Sequence, residues 1–167
     1  VYDGVPVAGA EVRIGDGLLG SEGEVLVRGP MLLRAYRDGH DPRLDGGWLP
    51  TGDGGWLAPD GHLVVHGRMA EVIVTGAEKV WPVAVEGVLG AQAGVAEVAV
   101  WKRPDPEWGE RVVAWVVATD PAVPPAPGDL RDAAAEQLAP WAAPKEIVLV
   151  DQLPRTASGK IRRTDLA

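Results

Sequence analysis

Val72-Ile73-Val74-Thr75-Gly76-Ala77-Glu78-Lys79-Val80-Trp81-Pro82 is where the 167-residue sequence changes its period. Val72-Ile73-Val74 is a continuous apolar run of the kind that makes a buried strand. Pro82 can then open a helix that carries Val85, Val88 and Leu89 at helical spacing, with Gly90 near its end. Upstream, residues 1–66 read as short strands, beginning with a strand-like Val1-Tyr2. Glu11-Val12-Arg13-Ile14 and Glu24-Val25-Leu26-Val27-Arg28 alternate polar with apolar, and Pro59-Asp60-Gly61 is a turn between Trp56-Leu57 and His62-Leu63-Val64-Val65. Downstream, strands are expected over 95–101, 111–119 and 146–150. Four prolines between 120 and 128 make a loop, after which Asp129 is expected to cap a helix with Leu130, Ala133, Ala134 and Leu138 on one side. The fold class is α+β: a small β-rich subdomain over residues 1–67, a junction at 68–70, and a compact cap of two helices on one sheet over 71–167.

Composition narrows the function. With no Cys there is neither a disulfide nor a thiolate nucleophile, so any thiol in the chemistry arrives with a substrate. A net charge of -8 opposes general binding of nucleic acid, and the one basic cluster is Lys160, Arg162 and Arg163. No apolar run approaches the roughly 20 residues of a membrane span, and no signal-peptide pattern opens the sequence, so the expected setting is the cytoplasm. His62 and His66, four apart on what reads as one strand, have Cα atoms about 13 Å apart and cannot chelate one metal together. No metal site of the chain's own is expected. The sequence begins at Val1 and is expected to be a piece of a longer chain.

Pro154-Arg155-Thr156-Ala157-Ser158-Gly159-Lys160 presents a cation on a small-residue tip, where backbone can approach a ligand closely. A phosphate-cradling P-loop is excluded, since Ile161 stands where that loop needs Ser or Thr. Lys160 by itself reads first as a solvated surface lysine after a turn. Asp53 by itself reads as a turn-capping carboxylate, and Arg68 as a solvated edge charge.

Four segments in order change that balance. Gly23-Glu24-Val25-Leu26-Val27-Arg28-Gly29-Pro30 with Tyr36, then Trp48-Leu49-Pro50-Thr51-Gly52-Asp53, then Gly67-Arg68, then the Pro154 to Lys160 loop, together resemble the carboxyl-terminal third of the adenylate-forming ligases. That family includes acyl-CoA synthetases, luciferases and peptide-synthetase adenylation domains. The resemblance implies that residues 1–67 are the terminal β subdomain of a large amino-terminal domain otherwise missing, and that 71–167 are a mobile cap. It makes Lys160 the adenylation lysine, gives Asp53 the ribose hydroxyls of ATP, and puts Arg68 near the nucleotide. Ala70 falls at the hinge position, where the family usually has Asp or Lys.

The implied reaction joins a small-molecule carboxylic acid, ATP with its Mg2+, and coenzyme A as co-substrate. The carboxylate attacks the α-phosphorus of ATP, and after the cap rotates a thiol displaces AMP. Thr75, Gly76 and Ala77 are implied on the coenzyme A side, with Ala77 in place of a common Gly and Ala84 where Glu is common. Trp108, in Trp108-Gly109-Glu110, is read either as lying near the coenzyme A entrance or as a buried packing residue. The flanks Val1 to Pro6 and Val74 to Pro82 look most like the o-succinylbenzoate-CoA ligase branch, which serves menaquinone synthesis. Other aryl- or acyl-CoA ligases, and a separate module that completes a partner, remain open. The implied phosphate loop and metal-holding Glu are absent from these residues, so the fragment alone is expected to be inactive. A homo-oligomer is compatible with the sequence, because strand faces deprived of their parent domain would pair.

Overall fold

The computed structural model describes residues 4–15 and 22–166; Val1-Tyr2 and the flank through Asp3 lie outside the described residues. The chain divides into two compact units, Val1–Ala70 and Glu71–Ala167.

The first unit is an antiparallel sheet of β1 (Glu11–Ile14), β2 (Gly23–Arg28), β3 (Leu49–Leu57) and β4 (Leu63–Arg68), neighbours in space in their sequence order. Period-two patterning sets the register, with Val12 opposite Val27 and Trp56 opposite Val64. Among the described residues its buried hydrophobic side chains are Val25, Leu26 and Trp48, and the guanidiniums of Arg13 and Arg28 lie 4.4 and 4.6 Å from the Trp48 ring. The β3–β4 turn closes as its sequence demands: Gly61 N–H donates to Ala58 O, and Asp60 Oδ1 accepts from His62 N–H. His62 therefore belongs to the turn rather than to the strand with His66. The Asx bond formed by Asp60 delays strand pairing until Leu63.

The second unit is a mixed five-stranded sheet. The hairpin β5 (Ile73–Thr75) and β6 (Glu78–Val80) is followed by helix α1 (Pro82–Gly90), the long hairpin β7 (Val95–Asp105) and β8 (Gly109–Ala118), helix α2 (Pro127–Gln137) and β9 (Glu146–Leu149). β7 covers one edge of β8 along its length. β5, through Thr75 opposite Gly109, and the parallel β9, through residues opposite 113–116, share the other.

Alternation along β8 builds two cores. Val112, Ala114 and Val116 face the helices with Val85, Leu89, Leu130 and Ala134; Val113 and Trp115 face the opposite way and pack with Leu153 and Leu166. Each buried Val or Leu contributes roughly 1.5–3 kcal/mol. The second core matters for function, because Leu153 and Ile161 pin both ends of the Lys160 loop to the sheet.

One expectation fails at α2. Asp129 lies inside the first turn, and the helix starts two residues earlier at Pro127, behind an extended Ala126 that provides no side-chain cap. A proline needs no N–H partner in a first helical turn and forces the residue before it to be extended, so Pro127 itself ends the loop. The Asp129 carboxylate still favours the positive end of the helix dipole.

Candidate functional site

In the first unit the features centre on Thr51-Gly52-Asp53. Thr51 Oγ1 donates to Val25 O at 2.8 Å and accepts from Asp53 N–H at 3.1 Å, while Gly52 N–H donates to Glu24 Oε1 at 2.9 Å. Gly52 has φ +72°, which glycine adopts without strain, and register shifts at Glu24/Leu26 and Gly54/Gly55 bracket the segment. Asp53 stands directly opposite Arg68 on the neighbouring strand. Arg68 Nε lies 3.2 Å from Asp53 Oδ1, and its Nη1 donates to Thr51 O at 2.9 Å. The paired strands therefore fix a partly exposed carboxylate that Arg68 engages at Oδ1.

In the second unit Arg155 pairs with Ile161 across an isolated antiparallel bridge, which makes residues 155–161 a small hairpin. Gly159 N–H donates to Thr156 O, Thr156 N–H donates to Lys160 O at 2.8 Å, and Lys160 N–H donates to Thr156 Oγ1 at 3.1 Å. Gly159 takes φ +84°, and no heavy atom lies within 4 Å of where its Cβ would be. The tip thus stands clear of the rest of the unit. The Lys160 side chain is exposed and makes no ion pair among the described residues. Its cation is anchored by backbone and left free at the ammonium.

At the β5–β8 junction, Gly76 N–H donates to Trp108 O at 3.0 Å. A Cβ on Gly76 would come within 2.3 Å of Trp108 Cε3, so the indole lies directly on the glycine. Trp108 is 44% exposed and carries Lys145 Nζ 4.6 Å from its ring. A buried packing role is thereby excluded: the hairpin turn that bears Trp108 projects beyond the core. Asp105 Oδ1 accepts from the Trp108 and Glu107 N–H groups, and the Trp108 bond is the main cause that holds its carboxyl below the ordinary value. Ala77 has φ +71°, a left-handed conformation unusual for a residue with a Cβ, and Thr75 is buried.

Residues 84–160 match the family model of the AMP-binding enzyme C-terminal domain. The chain is 41% identical over 150 residues to an indoleacetate–CoA ligase of Aromatoleum aromaticum, covering 88% of this chain and 29% of that protein. It is 38% identical over 160 residues to a 2-succinylbenzoate–CoA ligase of Listeria monocytogenes, covering 94% and 32%. The structure superposes on o-succinylbenzoate CoA synthetase from Bacillus subtilis, solved with its acyl-adenylate intermediate, at a TM-score of 0.88 and 34% identity over 96% of this chain and 34% of that one. Over nearly its whole length the chain is similar to adenylate-forming CoA ligases, and residues 84–160 carry the match to their C-terminal domain. The chain spans about a third of the length of these relatives.

Of the residues singled out for this ligase family, the structure brings Asp53 against Arg68 in one unit, and Gly76 against Trp108 in the other. Ala70 is exposed and closes the first unit, two residues beyond Arg68 at the end of β4. Among the described residues no group of three or more His, Asp or Glu side chains converges to hold a metal, and no helix is long and apolar enough to cross a membrane. Sequence reading passed over Arg155, whose guanidinium grips the Lys160 turn, and Glu24, which holds Gly52. Both sit inside the segments that carried the resemblance, but a side chain's partner across a loop leaves no mark in sequence spacing.

Proposed function

We propose that this chain is the carboxyl-terminal part of an ATP-dependent acid–CoA ligase, acting in the cytoplasm. The enzyme converts a carboxylic acid to an acyl-adenylate and then to a coenzyme A thioester. The observation that carries the reading is the free ammonium of Lys160 on a backbone-braced tip within the matched C-terminal domain. Two anions must meet at bonding distance when a carboxylate attacks the α-phosphorus. A cation about 4 Å from each offsets their repulsion by roughly 4 kcal/mol per contact at an effective dielectric near 20. Lys160 supplies that charge, Asp53 accepts the ribose hydroxyls, and Arg68, 3.2 Å from Asp53 Oδ1, holds that carboxylate in place beside the nucleotide.

Mg2+ enters with ATP, its ligands mostly in the part of the enzyme beyond this chain. Glu71–Ala167 serves as the mobile cap, turning about Ala70, and Gly76, Ala77 and Trp108 face coenzyme A in the second step, with Thr75 buried beside them as a packing residue and not a contact. The acid placed first is o-succinylbenzoate of menaquinone synthesis, because a relative 38% identical over 160 aligned residues is named for 2-succinylbenzoate; another aryl or acyl acid is the alternative, since relatives named for indoleacetate and for fatty acids align at 41% and 37%.

The test is ATP–pyrophosphate exchange by the full-length protein against o-succinylbenzoate, indoleacetate and fatty acids, with Lys160→Ala alongside. The variant is expected to lose exchange by on the order of a hundredfold to a thousandfold while forming thioester from supplied acyl-adenylate at nearly the wild-type rate. Equal loss in the two half-reactions overturns the assignment.

A further inference from the structure

The Gly159–Lys160 peptide sets the direction in which Lys160 leaves its turn, and two side chains hold it: Thr156, within the turn, accepts from its N–H, and Arg155 reaches its carbonyl and ties it to the sheet. Arg155 Nη1 donates to Gly159 O at 2.7 Å, and Arg155 Nη2 bonds to Glu97 Oε2 on β7, whose strand is locked to β8 through Glu97 opposite Val117. The guanidinium thus spans from the rigid sheet to the carbonyl next to the lysine. We propose that Arg155 is a positioning residue for Lys160, with Glu97 as its anchor.

The partners' exposure argues that the clasp is not there for stability. The Arg155 and Glu97 side chains are 43% and 45% exposed, and ion pairs this wet contribute little to folding. The unit's cohesion comes instead from its two cores, which bury Leu153 and Leu166 beside the loop. What the clasp adds is orientation. Without it, the free tip at Gly159 has only bonds within the turn to hold it, and the turn can pivot as a whole about Pro154 and Arg162, whose N–H donates to Pro154 O. A swing of about an ångström in a charge that must bridge two reacting groups costs rate. Arginine is required because a planar fork reaches both acceptors at once, whereas an ammonium is a single point charge.

The inference rests on the proposed adenylation role of Lys160, and the experiment separates the two. In the full-length enzyme, Arg155→Ala is expected to lower kcat for ATP–pyrophosphate exchange about tenfold, with KM for ATP within about twofold. Thioester formation from supplied acyl-adenylate and the thermal midpoint should stay close to wild type. Arg155→Lys should recover only part of the loss, Glu97→Gln should cost about threefold, and the double variant Arg155→Ala/Glu97→Gln should be no slower than Arg155→Ala. Exchange abolished by Lys160→Ala but intact in Arg155→Ala overturns this inference alone. An equal loss in both half-reactions, or additive effects of Arg155→Ala and Glu97→Gln, also overturns it. Exchange that survives Lys160→Ala overturns the reading beneath it.

Discussion

Arg163 Nη1 lies 3.1 Å from Glu71 Oε2 across 92 positions of sequence, and the same guanidinium forks onto Glu86 through Nη2 at 3.0 and 2.9 Å. Glu86 Oε1 also accepts from Val100 N–H at 2.8 Å, so the first residue of the second unit, helix α1, strand β7 and the segment after Lys160 are tied at one point. The Arg163 and Glu86 side chains are only 18% and 16% exposed, which sets this network apart from the wet pairs elsewhere on the surface. Arg163→Ala would leave two carboxylates facing each other without their cation. We expect a loss of about 2–4 kcal/mol, read as a lower urea midpoint, with Arg163→Lys losing less. A midpoint unchanged in Arg163→Ala would show that Glu86 and Glu71 are satisfied without the guanidinium.

The turn at residues 76 and 77 gives a pair of opposite predictions. Ala77 holds φ +71°, which disfavours a Cβ, while Gly76 at φ +57° has the Trp108 ring where a Cβ would go. Ala77→Gly should therefore raise stability by about 0.5–1 kcal/mol, the relief of backbone strain exceeding the entropy gained by the unfolded chain. Gly76→Ala should lower the thermal midpoint by several degrees, since it must displace the indole as well as strain the backbone. Both are checked by thermal unfolding, and a midpoint lowered by Ala77→Gly would contradict the strain at that residue.

Much of this architecture can be read from residue types, and the reason is local. The alternation Val112, Val113, Ala114, Trp115, Val116 encodes two buried faces, and Pro82 with Val85 and Leu89 encodes the helix that covers one of them. The parallel union of β9 with β8 has no such local signature, because it depends on where the chain returns after α2. The start of α2 is hidden in sequence, because Pro127 has the same residue type as the loop prolines before it and differs only in its place in a first turn. For the candidate sites, Asp53 and Lys160 were legible as members of spaced motifs. The contacts around them left no such mark: Arg155 ties the Lys160 turn to Glu97 across 58 positions, and Arg68 meets Asp53 because two strands pair.

Acid should act on the Trp108 turn through Asp105. Its carboxyl is held below the ordinary value of 3.8, chiefly by the Trp108 N–H, so folding favours the ionised form. A depressed folded value means the contribution is present above about pH 4 and is lost as pH falls through the folded value below it. Asp105→Ala should be less stable than wild type at neutral pH, and the difference should shrink as the solution is acidified. A difference independent of pH would mean that the carboxylate's charge has no part in holding the turn.

Asp53 carries the sharpest prediction for nucleotide binding. Its Oδ1 is engaged by Arg68 Nε at 3.2 Å, and the backbone that bears it is fixed by Thr51 and Glu24, so Asp53→Asn changes the charge with little change in shape. A ribose donating two hydroxyls to a carboxylate gains charge-assisted bonds of about 1.5–3 kcal/mol each, and an amide can return only part of that. In the full-length enzyme Asp53→Asn should raise KM for ATP about tenfold to a hundredfold. Wild type should discriminate against 2′-deoxy-ATP more strongly than the variant, because in the variant the hydroxyl has lost its charged partner and keeps only a neutral one. Equal discrimination by the two proteins would remove Asp53 from the ribose and leave it a structural mate of Arg68.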